Sequence, residues 1–260
     1  MMTIDAGVLQ PEKALMFDLT KPWPPGLTRE TWYLYLLGFA VAVLLVFQID
    51  IVASRAAIAW PDLGRAPFFF ITDYGLSDWV LIPSLAIFVA AVFAGHFLRG
   101  LKRLASYEVA MLAGYIFVGV GLPGLVSNGI KRLIGRGRPE MFDQFGAFSF
   151  HSVFNDWTFQ SFPSGHSTTA IALAFVLGFM APRLFPWLLA LGVLVCFSRV
   201  PVGMHYPSDV FAGFCLGLVG AYAVRNFFVR QRWMFKTRLD GRIVPRPLSA
   251  IRRLYQRARA

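Results

Sequence analysis

Long apolar stretches alternate with short polar junctions along most of this chain. Six of the stretches reach, or nearly reach, the roughly 20 residues that a helix needs to cross a bilayer. They are residues Tyr33–Ile51, Trp79–Phe97, Leu104–Val126, Ser167–Ala181, Leu184–Phe197 and Val210–Phe228. The fourth and fifth are the shortest, and we expect their helices to continue into the polar residues at their ends. The pattern predicts an all-α fold: a polytopic membrane protein with six transmembrane helices.

The composition supports this prediction. Of the 260 residues, 57% are hydrophobic and 15% are charged, whereas an ordinary soluble domain has roughly 25% charged residues. A soluble all-helical protein is therefore the disfavoured alternative. The first 30 residues lack an early apolar segment and carry four acids, Asp5, Glu12, Asp18 and Glu30. No cleavable signal peptide is predicted, and the first span is expected to act as the insertion signal.

The formal net charge of +11 is concentrated near the C-terminus. Residues 225–260 contain eleven Lys and Arg against one acid, Asp240. Basic residues that flank spans stay on the cytoplasmic side and can also bind anionic headgroups, so we favour these explanations over nucleic-acid binding. The predicted regions are an N-terminal cytoplasmic or interfacial segment (1–30), a six-span domain (31–228) and a basic cytoplasmic tail (229–260).

One basic cluster does not fit this topology. With both termini in the cytoplasm, the basic loops after the second and fourth spans are also cytoplasmic, as the charge rule requires. The cluster that follows the third span falls on the outer face instead, and consists of Lys131, Arg132, Arg136 and Arg138. Anion binding would explain four cations in this position. A local exception without function is the alternative.

Three short motifs lie at this outer face, each at the edge of an apolar segment. They are Lys131–Pro139 (KRLIGRGRP), Pro163–His166 (PSGH) and Ser198–Asp209 (SRVPVGMHYPSD). Together they supply five Lys and Arg residues, of which Lys131, Arg138 and Arg199 are the three candidate ligands, and also two histidines, one carboxylate and a Ser-Gly turn. Because Arg pairs two phosphate oxygens at once and Lys adds a compact charge, this set of groups suits a phosphate monoester. We expect a helical core bundle that carries an active site at this membrane interface.

The cations and the Ser-Gly turn are candidate phosphate ligands. The glycines and the proline of the first motif predict that the third helix unwinds and that Arg138 is reached through a loop. Arg199 would lie in the membrane, where an unpaired cation is costly, and is therefore a functional candidate. Ser164 and Gly165 open the fourth helix, whose free N–H groups favour an anion. An ordinary helix cap is the alternative for this pair.

The histidines are candidates for covalent and acid–base chemistry. His205 and Asp209 are four residues apart, so on a helix they would face each other. Such a carboxylate can hold one imidazole nitrogen protonated and leave the other free to attack. His166 is the second candidate, because a capping turn needs no histidine. No catalytic role is assigned to His96, His151, Asp50 or Glu108. With one carboxylate in the motifs, neither a metal nor a cofactor is predicted.

The motif residues resemble the signature of the phosphatidic acid phosphatase type 2 superfamily. The pattern is Lys, six residues, Arg-Pro; then Pro-Ser-Gly-His; then Ser-Arg, five residues, His, three residues, Asp, and the chain fits it without a departure. The resemblance implies that His205 is a nucleophile that forms a phosphohistidine and that Asp209 orients and polarises it. It implies that His166 protonates the leaving alkoxide and then helps to activate water. The implied phosphate-binding residues are Lys131, Arg138, Ser164, Gly165 and Arg199.

The leading hypothesis is an integral lipid phosphatase of the cytoplasmic (inner) membrane, with its active site on the periplasmic face. Candidate substrates are undecaprenyl pyrophosphate, phosphatidylglycerophosphate, phosphatidic acid and the phosphates of lipid A. The alternatives are a lipid phosphotransferase with the same intermediate and a non-enzymatic anion channel or transporter. The expected partners are the phosphorylated lipid and the bilayer, with the basic tail near anionic headgroups and no nucleic acid.

An aromatic segment separates the first two motifs. Residues 140–162 contain Phe142, Phe145, Phe148, Phe150, Phe154, Trp157, Phe159 and Phe162. Aromatic side chains favour the headgroup zone of a bilayer. We therefore expect this segment to lie along the membrane surface, where it could guide the tails of a lipid substrate.

Overall fold

A computed structural model describes residues 18–146, 149–152 and 156–259. The fold is mostly helical. Its α-helices are α1 (Trp32–Phe47), α2 (Asp50–Ile58), α3 (Asp62–Asp73), α4 (Asp78–Phe97), α5 (Gly100–Ile134), α6 (Phe142–Phe145), α7 (Gly165–Met180), α8 (Phe185–Ser198), α9 (Pro207–Arg230) and α10 (Ser249–Arg259). Short 3-10 turns cover Pro139–Met141, Trp157–Phe159 and Pro182–Leu184.

Helix α7 is the centre of the bundle. It packs against α5, α8 and α9, and Ile171, Phe175 and Val176 on it have no exposed surface. Helix α4 pairs with α5, α1 packs on α9, and α3 lies across α8. The outer helices expose large apolar side chains, such as Ile82 and Phe93 on α4. Apolar side chains that face outward along whole helices are what a lipid environment favours, so this arrangement fits a membrane protein.

The helix lengths support membrane insertion but do not fix the number of spans. Three helical segments of the described chain are long and apolar enough to cross a membrane: Asp62–Phe97, Gly100–Ile134 and Pro207–Arg230. The bent pair α1 and α2 would make a fourth. Residues Gly165–Met180 and Pro182–Ser198 form apolar but shorter helices. The count of six transmembrane helices therefore stays a prediction.

The first predicted span is divided. Helices α1 and α2 meet at a break after Phe47 and are bent by 50° relative to each other. Asp50, the first residue of α2, is completely buried and accepts hydrogen bonds from Arg136 and from the backbone and hydroxyl of Ser208. A buried carboxylate needs such partners. The bend coincides with the residue that makes them, so Tyr33–Ile51 is not one straight helix.

Helix α5 ends where the sequence indicated. Gly135 follows its last residue in the left-handed region, with φ of 61°, and its N–H donates to the Lys131 carbonyl at 2.9 Å. This is a common way for a helix to stop. Residues 136–138 continue as an extended segment. The prediction that the helix unwinds and that Arg138 lies on a loop is confirmed.

The basic tail is folded, and the prediction of an all-α fold is incomplete. Strands β1 (Phe235–Thr237) and β2 (Ile243–Pro245) form an antiparallel hairpin, with Phe235 opposite Pro245. The hairpin buries Phe235 and Ile243 in the core beside Leu19, and the carboxylate of Glu108 on α5 accepts the first N–H groups of α10. Burial of these apolar residues explains why a short sheet forms in a segment that charge alone had marked as a tail.

Candidate active site

The three motifs meet at one end of the bundle, around a cavity of about 450 Å³. Five predicted site residues line it: Lys131, Arg138, His166, Arg199 and His205. The other lining residues are Phe69, Thr72, Asp73, Trp157, Val202 and Met204. The motif residues come from the end of α5, the start of α7, the end of α8 and the loop before α9. The structure therefore brings residues of all three motifs together at one cavity, while their place at one membrane face stays a prediction.

Two of the cations are placed by close contacts at the rim of the cavity. Lys131 lies in the last turn of α5, and a Cβ built on Gly165 would stand 3.0 Å from its Nζ. Glycine at 165 therefore lets the amine approach the backbone at the start of α7. Arg138 donates from Nε to the Trp157 carbonyl at 3.0 Å, and its guanidinium lies 4.8 Å from the centre of the Trp157 ring. Arg138 is thus held before any ligand arrives, and Gly165 leaves room for the Lys131 amine beside the start of α7.

Arg199 is the third cation. It follows α8, is 4% exposed, and donates to the hydroxyl of Thr72 on α3. Burial, with a smaller contribution from Arg138, lowers the pKa of Arg199 to about 10, so it remains charged at neutral pH. Among the described residues that line the cavity, Asp73 is the single acid. The cavity is therefore strongly cationic, as binding of a phosphate requires.

His205 is held as a neutral imidazole with one nitrogen free. Its Nδ1 lies 2.8 Å from the carbonyl oxygen of Ser161. Because a carbonyl can only accept, Nδ1 carries the proton and Nε2 keeps its lone pair. Burial lowers the pKa of His205 well below its usual value, and the nearby Arg199, Lys131 and Arg138 lower it further. This is the state in which an imidazole can act as a nucleophile.

Asp209 lies beside His205 but does not bond to it directly. The distance from His205 Nδ1 to Asp209 Oδ2 is 3.7 Å, which is too long for a hydrogen bond. Instead, Asp209 Oδ2 accepts from the Ser161 hydroxyl at 2.6 Å and from the Tyr206 N–H at 2.9 Å. His205 precedes α9, which begins at Pro207. The predicted closeness is confirmed, but the predicted contact along a helix is wrong because His205 is not helical.

Arg136 joins Asp209 to a second carboxylate. Its two terminal nitrogens donate to Asp209 Oδ1 at 2.6 Å and to Asp50 Oδ2 at 2.8 Å, and it also reaches the Ser208 hydroxyl. Its guanidinium lies 4.2 Å and 4.3 Å from the centres of the rings of Phe47 and Tyr206. The side chain has no exposed surface. A charge buried this completely is tolerated because it is paired and hydrogen-bonded.

Comparison with known proteins agrees with this geometry. The family model of the PAP2 superfamily matches residues 112–233. Lipid A 1-phosphatase from Rhizobium johnstonii is 33% identical over 218 residues, which cover 84% of this chain and 88% of the relative. The chain belongs to the PAP2 superfamily. Phosphatidylglycerophosphatase B from Bacillus subtilis is 28% identical over 211 residues, 75% of this chain and 91% of that relative.

The fold matches a solved PAP2 structure as well. A crystal structure described as the first transmembrane PAP2 type phosphatidylglycerolphosphate phosphatase from Bacillus subtilis aligns with a TM-score of 0.51 at 26% identity. The alignment covers 76% of this chain and 94% of that one. As a PAP2 protein, the chain is a phosphoric monoester or pyrophosphate hydrolase and a membrane lipid phosphatase. The expectation of an enzyme, rather than a channel, is confirmed.

The PAP2 residues of the second motif occupy two different settings. His166 stands in the first turn of α7 and lines the cavity. Ser164 is the N-cap of α7: its Oγ accepts from the N–H and the hydroxyl of Ser167, and it is fully buried behind the cavity wall. An ordinary role as a helix cap therefore explains the position of Ser164. A hydrogen bond from its hydroxyl to phosphate stays a prediction.

Three residues around this PAP2 site were missed from the sequence: Arg136, Asp50 and Ser161. A signal existed for two of them. Arg136 belonged to the cationic cluster on the outer face, and Asp50 was an acid inside a predicted span, where a charge is costly unless it is paired. Ser161 gave no signal, because nothing in its neighbourhood along the chain indicates that its carbonyl faces His205.

The two histidines that were set aside lie elsewhere. His96 bonds to the Val92 carbonyl on its own helix, and His151 packs between Phe145 and Phe159. Phe148 and Phe154 of the aromatic segment lie outside the described residues. Within the described ranges, no group of three or more His, Cys, Asp or Glu side chains is arranged to hold a metal ion.

Proposed function

We propose that this lipid phosphatase transfers the phosphoryl group of a lipid phosphate to Nε2 of His205 and then to water. The observation that carries the proposal is the 2.8 Å contact of His205 Nδ1 with the Ser161 carbonyl, which leaves Nε2 unprotonated in a cavity lined by three cations. Lys131, Arg138 and Arg199 neutralise the charge of the phosphate. Positive groups that are already in place stabilise the charge that develops on the phosphoryl oxygens.

In the first step a bond forms between His205 Nε2 and phosphorus as the bond from phosphorus to the lipid oxygen breaks. The leaving alkoxide needs a proton, and His166 is the candidate donor because it lies at the same cavity. In the free protein burial, with a smaller contribution from Arg199, lowers the pKa of His166 to about 2, so the ring is neutral. A phosphate dianion beside it favours the protonated form, so His166 takes up a proton from solvent as the substrate binds and then gives it to the leaving alkoxide. This divides the two histidines between nucleophilic and acid roles.

In the second step water attacks phosphorus, the bond from phosphorus to Nε2 breaks, and phosphate leaves. His166, now neutral, takes a proton from the attacking water and returns to its starting state after phosphate is released. Asp209 lies behind the nucleophile, 3.7 Å from His205 Nδ1, and the negative charge of its carboxylate, which Arg136 holds in place, offsets the positive charge of the phosphorylated imidazole.

We propose lipid A as the substrate, at the phosphate that a lipid A 1-phosphatase removes. The support is the relative from Rhizobium johnstonii, which matches 84% of this chain and so includes regions outside the motifs. The motif residues are proposed to bind only the phosphate group. The choice of lipid A therefore rests on sequence similarity and not on a contact. Phosphatidylglycerophosphate, phosphatidic acid and undecaprenyl pyrophosphate are the competing substrates.

The test is phosphate release by the purified protein in detergent with excess chelator. Each of the four lipids would be offered to the wild type, to His205→Ala and to His96→Ala. We expect the highest kcat/KM with lipid A, loss of turnover in His205→Ala, and normal turnover in His96→Ala, because His96 bonds only within α4. Trapping of a phosphohistidine in the wild type completes the assignment.

Two results would contradict this proposal separately. Turnover that survives in His205→Ala would exclude the covalent mechanism. A clear preference for another lipid, with dependence on His205 intact, would exclude only the choice of lipid A.

A further inference from the structure

Ser161 uses all three of its polar groups inside the protein. Its N–H donates to the Arg136 carbonyl at 3.0 Å, its hydroxyl donates to Asp209 Oδ2 at 2.6 Å, and its carbonyl accepts from His205 Nδ1 at 2.8 Å. The residue has no exposed surface. It is therefore the one described residue that bonds directly to both His205 and Asp209.

Asp209 has little capacity left to accept a hydrogen bond from His205. Its Oδ1 is taken by Arg136, and its Oδ2 already accepts from Ser161 and from the Tyr206 N–H. The imidazole is 3.7 Å away and has a shorter and better acceptor in the Ser161 carbonyl. The hydrogen bonds by which the carboxylate can orient the imidazole therefore pass through Ser161.

We infer that Ser161 is a positioning residue for the nucleophile. Asp209 fixes the Ser161 side chain, and the Ser161 carbonyl in turn fixes the tautomer and the orientation of His205. Arg136 closes the arrangement, since it bonds to Asp209 through its side chain and to Ser161 through its carbonyl. The inference rests on the proposed role of His205 as nucleophile.

The arrangement is well suited to holding a group that reacts. A carbonyl cannot give up a proton, so it fixes His205 in one tautomer throughout the reaction. The Ser161 hydroxyl is bonded to a buried carboxylate that is itself paired with Arg136, and bonds to charged groups are the stronger ones. An error of about 1 Å in the position of a reacting group can cost about a hundredfold in rate.

The test compares Ser161→Ala with the wild type in the phosphate-release assay, using whichever lipid the wild type hydrolyses. We expect kcat to fall by about tenfold or more, because the bond to a charged partner is lost. KM is expected to stay within about threefold, since Ser161 is not among the cavity residues. Phosphohistidine formation in a single turnover should slow to the same extent as kcat.

The second arm asks whether Ser161 acts through Asp209. In the Asp209→Asn background, Ser161→Ala should cost much less than it does in the wild type, because both changes break one chain of contacts. Additive effects would overturn the inference, as would a kcat for Ser161→Ala within about threefold of wild type. Ser161→Cys, which keeps the shape of the side chain but donates weakly, should lie between the wild type and Ser161→Ala.

Controls keep the outcomes separate. Ser84→Ala removes a buried hydroxyl that bonds only to the Leu81 carbonyl of its own helix, and it should keep normal kcat. If Ser161→Ala does not elute as a folded protein, Ser161→Cys carries the same test. If His205→Ala retains activity, the proposed mechanism fails; if His205→Ala is inactive and Ser161→Ala is normal, only this inference fails.

Discussion

Individual neighbouring residues determine the protonation state of His205. Burial and three neighbouring cations favour the neutral ring, while the Ser161 carbonyl accepts its remaining proton. These influences act in opposite directions on the pKa, and burial is the largest of them, so the pKa lies well below its usual value. A nucleophile with this property stays active in mildly acidic conditions.

This leads to a prediction for the pH dependence of kcat/KM. Protonation of Nε2 abolishes attack, so activity falls as the pH drops through the pKa of His205, and that fall should occur below about pH 6.5, the usual value for histidine. Arg199→Gln removes a cation that lowers this pKa, and the inflection should move to higher pH. The measurement is kcat/KM against pH for both proteins.

The comparison also distinguishes titration of His205 from titration of the lipid phosphate. Titration of the lipid phosphate gives an inflection that is the same for both proteins, whereas the inflection of His205 moves with the substitution. An acid limb that stays in place in Arg199→Gln would show that His205 does not set it.

Single residues also show how far the sequence could be read. The types and spacings of the motif residues were enough to predict Lys131, Arg138, His166, Arg199 and His205, and the cavity gathers all five. The partners of the nucleophile were not accessible in this way. Ser161 and Asp209 are 48 residues apart, and Asp50 and Ser208 are 158 apart. Such contacts depend on how helices pack, and no local pattern records them.

At the scale of elements, the turn between α3 and α4 supports the second histidine. A Cβ built on Gly75 would lie 2.8 Å from His166 Cβ, 2.9 Å from its Cδ2 and 2.9 Å from Val195 Cγ1. No real side chain tolerates contacts this short, so Gly75 allows the turn to rest directly on His166. Helix α3 also supplies Thr72 to Arg199. Helix α3 and the turn that follows it are thus part of the site and not only a connection.

We therefore predict that Gly75→Ala displaces His166 and lowers kcat for the lipid substrate by about tenfold or more. The defect should be in the delivery of a proton to the leaving group. Phosphohistidine formation from p-nitrophenyl phosphate, whose leaving group needs no proton, should be affected much less. The measurement is the rate of the first turnover with each substrate.

Gly64→Ala is the matched control, because a Cβ there meets nothing within 4 Å. Gly64 lies on α3, which leads into the same turn, and the substituted protein should be normal with both substrates. Equal losses with both substrates in Gly75→Ala would contradict a specific effect on proton delivery.

The helices and strands also show where the pattern of apolar residues was sufficient to predict the structure. It predicted α4 almost to the residue, because a run of apolar side chains with clear polar ends is enough to define a helix in lipid. It failed at the first span, where Asp50 draws the chain towards Arg136 and Ser208, and at the hairpin, whose strands are only three residues long. Both failures arise from tertiary contacts that outweigh local preference.

At the scale of the whole molecule, the two ends of the helical bundle differ. The candidate active-site cavity lies at the end of α5 and the start of α7. Helix α10 and the hairpin pack at the opposite end, where Glu108 near the start of α5 accepts the first N–H groups of α10. The exposed basic residues of the tail are gathered there. Positive charge beside spans stays in the cytoplasm, so we propose that the tail faces the cytoplasm and the cavity faces the periplasm.

Two exposed aspartates, one at each end, make this orientation testable. Asp62 begins α3, whose last turn supplies Thr72 and Asp73 to the cavity, and Asp240 lies in the turn of the hairpin. In intact cells a maleimide that cannot cross the inner membrane should label Asp62→Cys and not Asp240→Cys, and permeabilisation should make both reactive. The background is set by the unsubstituted chain, whose Cys196 is buried and whose Cys215 is partly buried. The reverse pattern would place the active site in the cytoplasm, on the wrong side for a periplasmic lipid phosphate. Labelling of both in intact cells would contradict the assignment of the two ends of the bundle to opposite faces of the membrane.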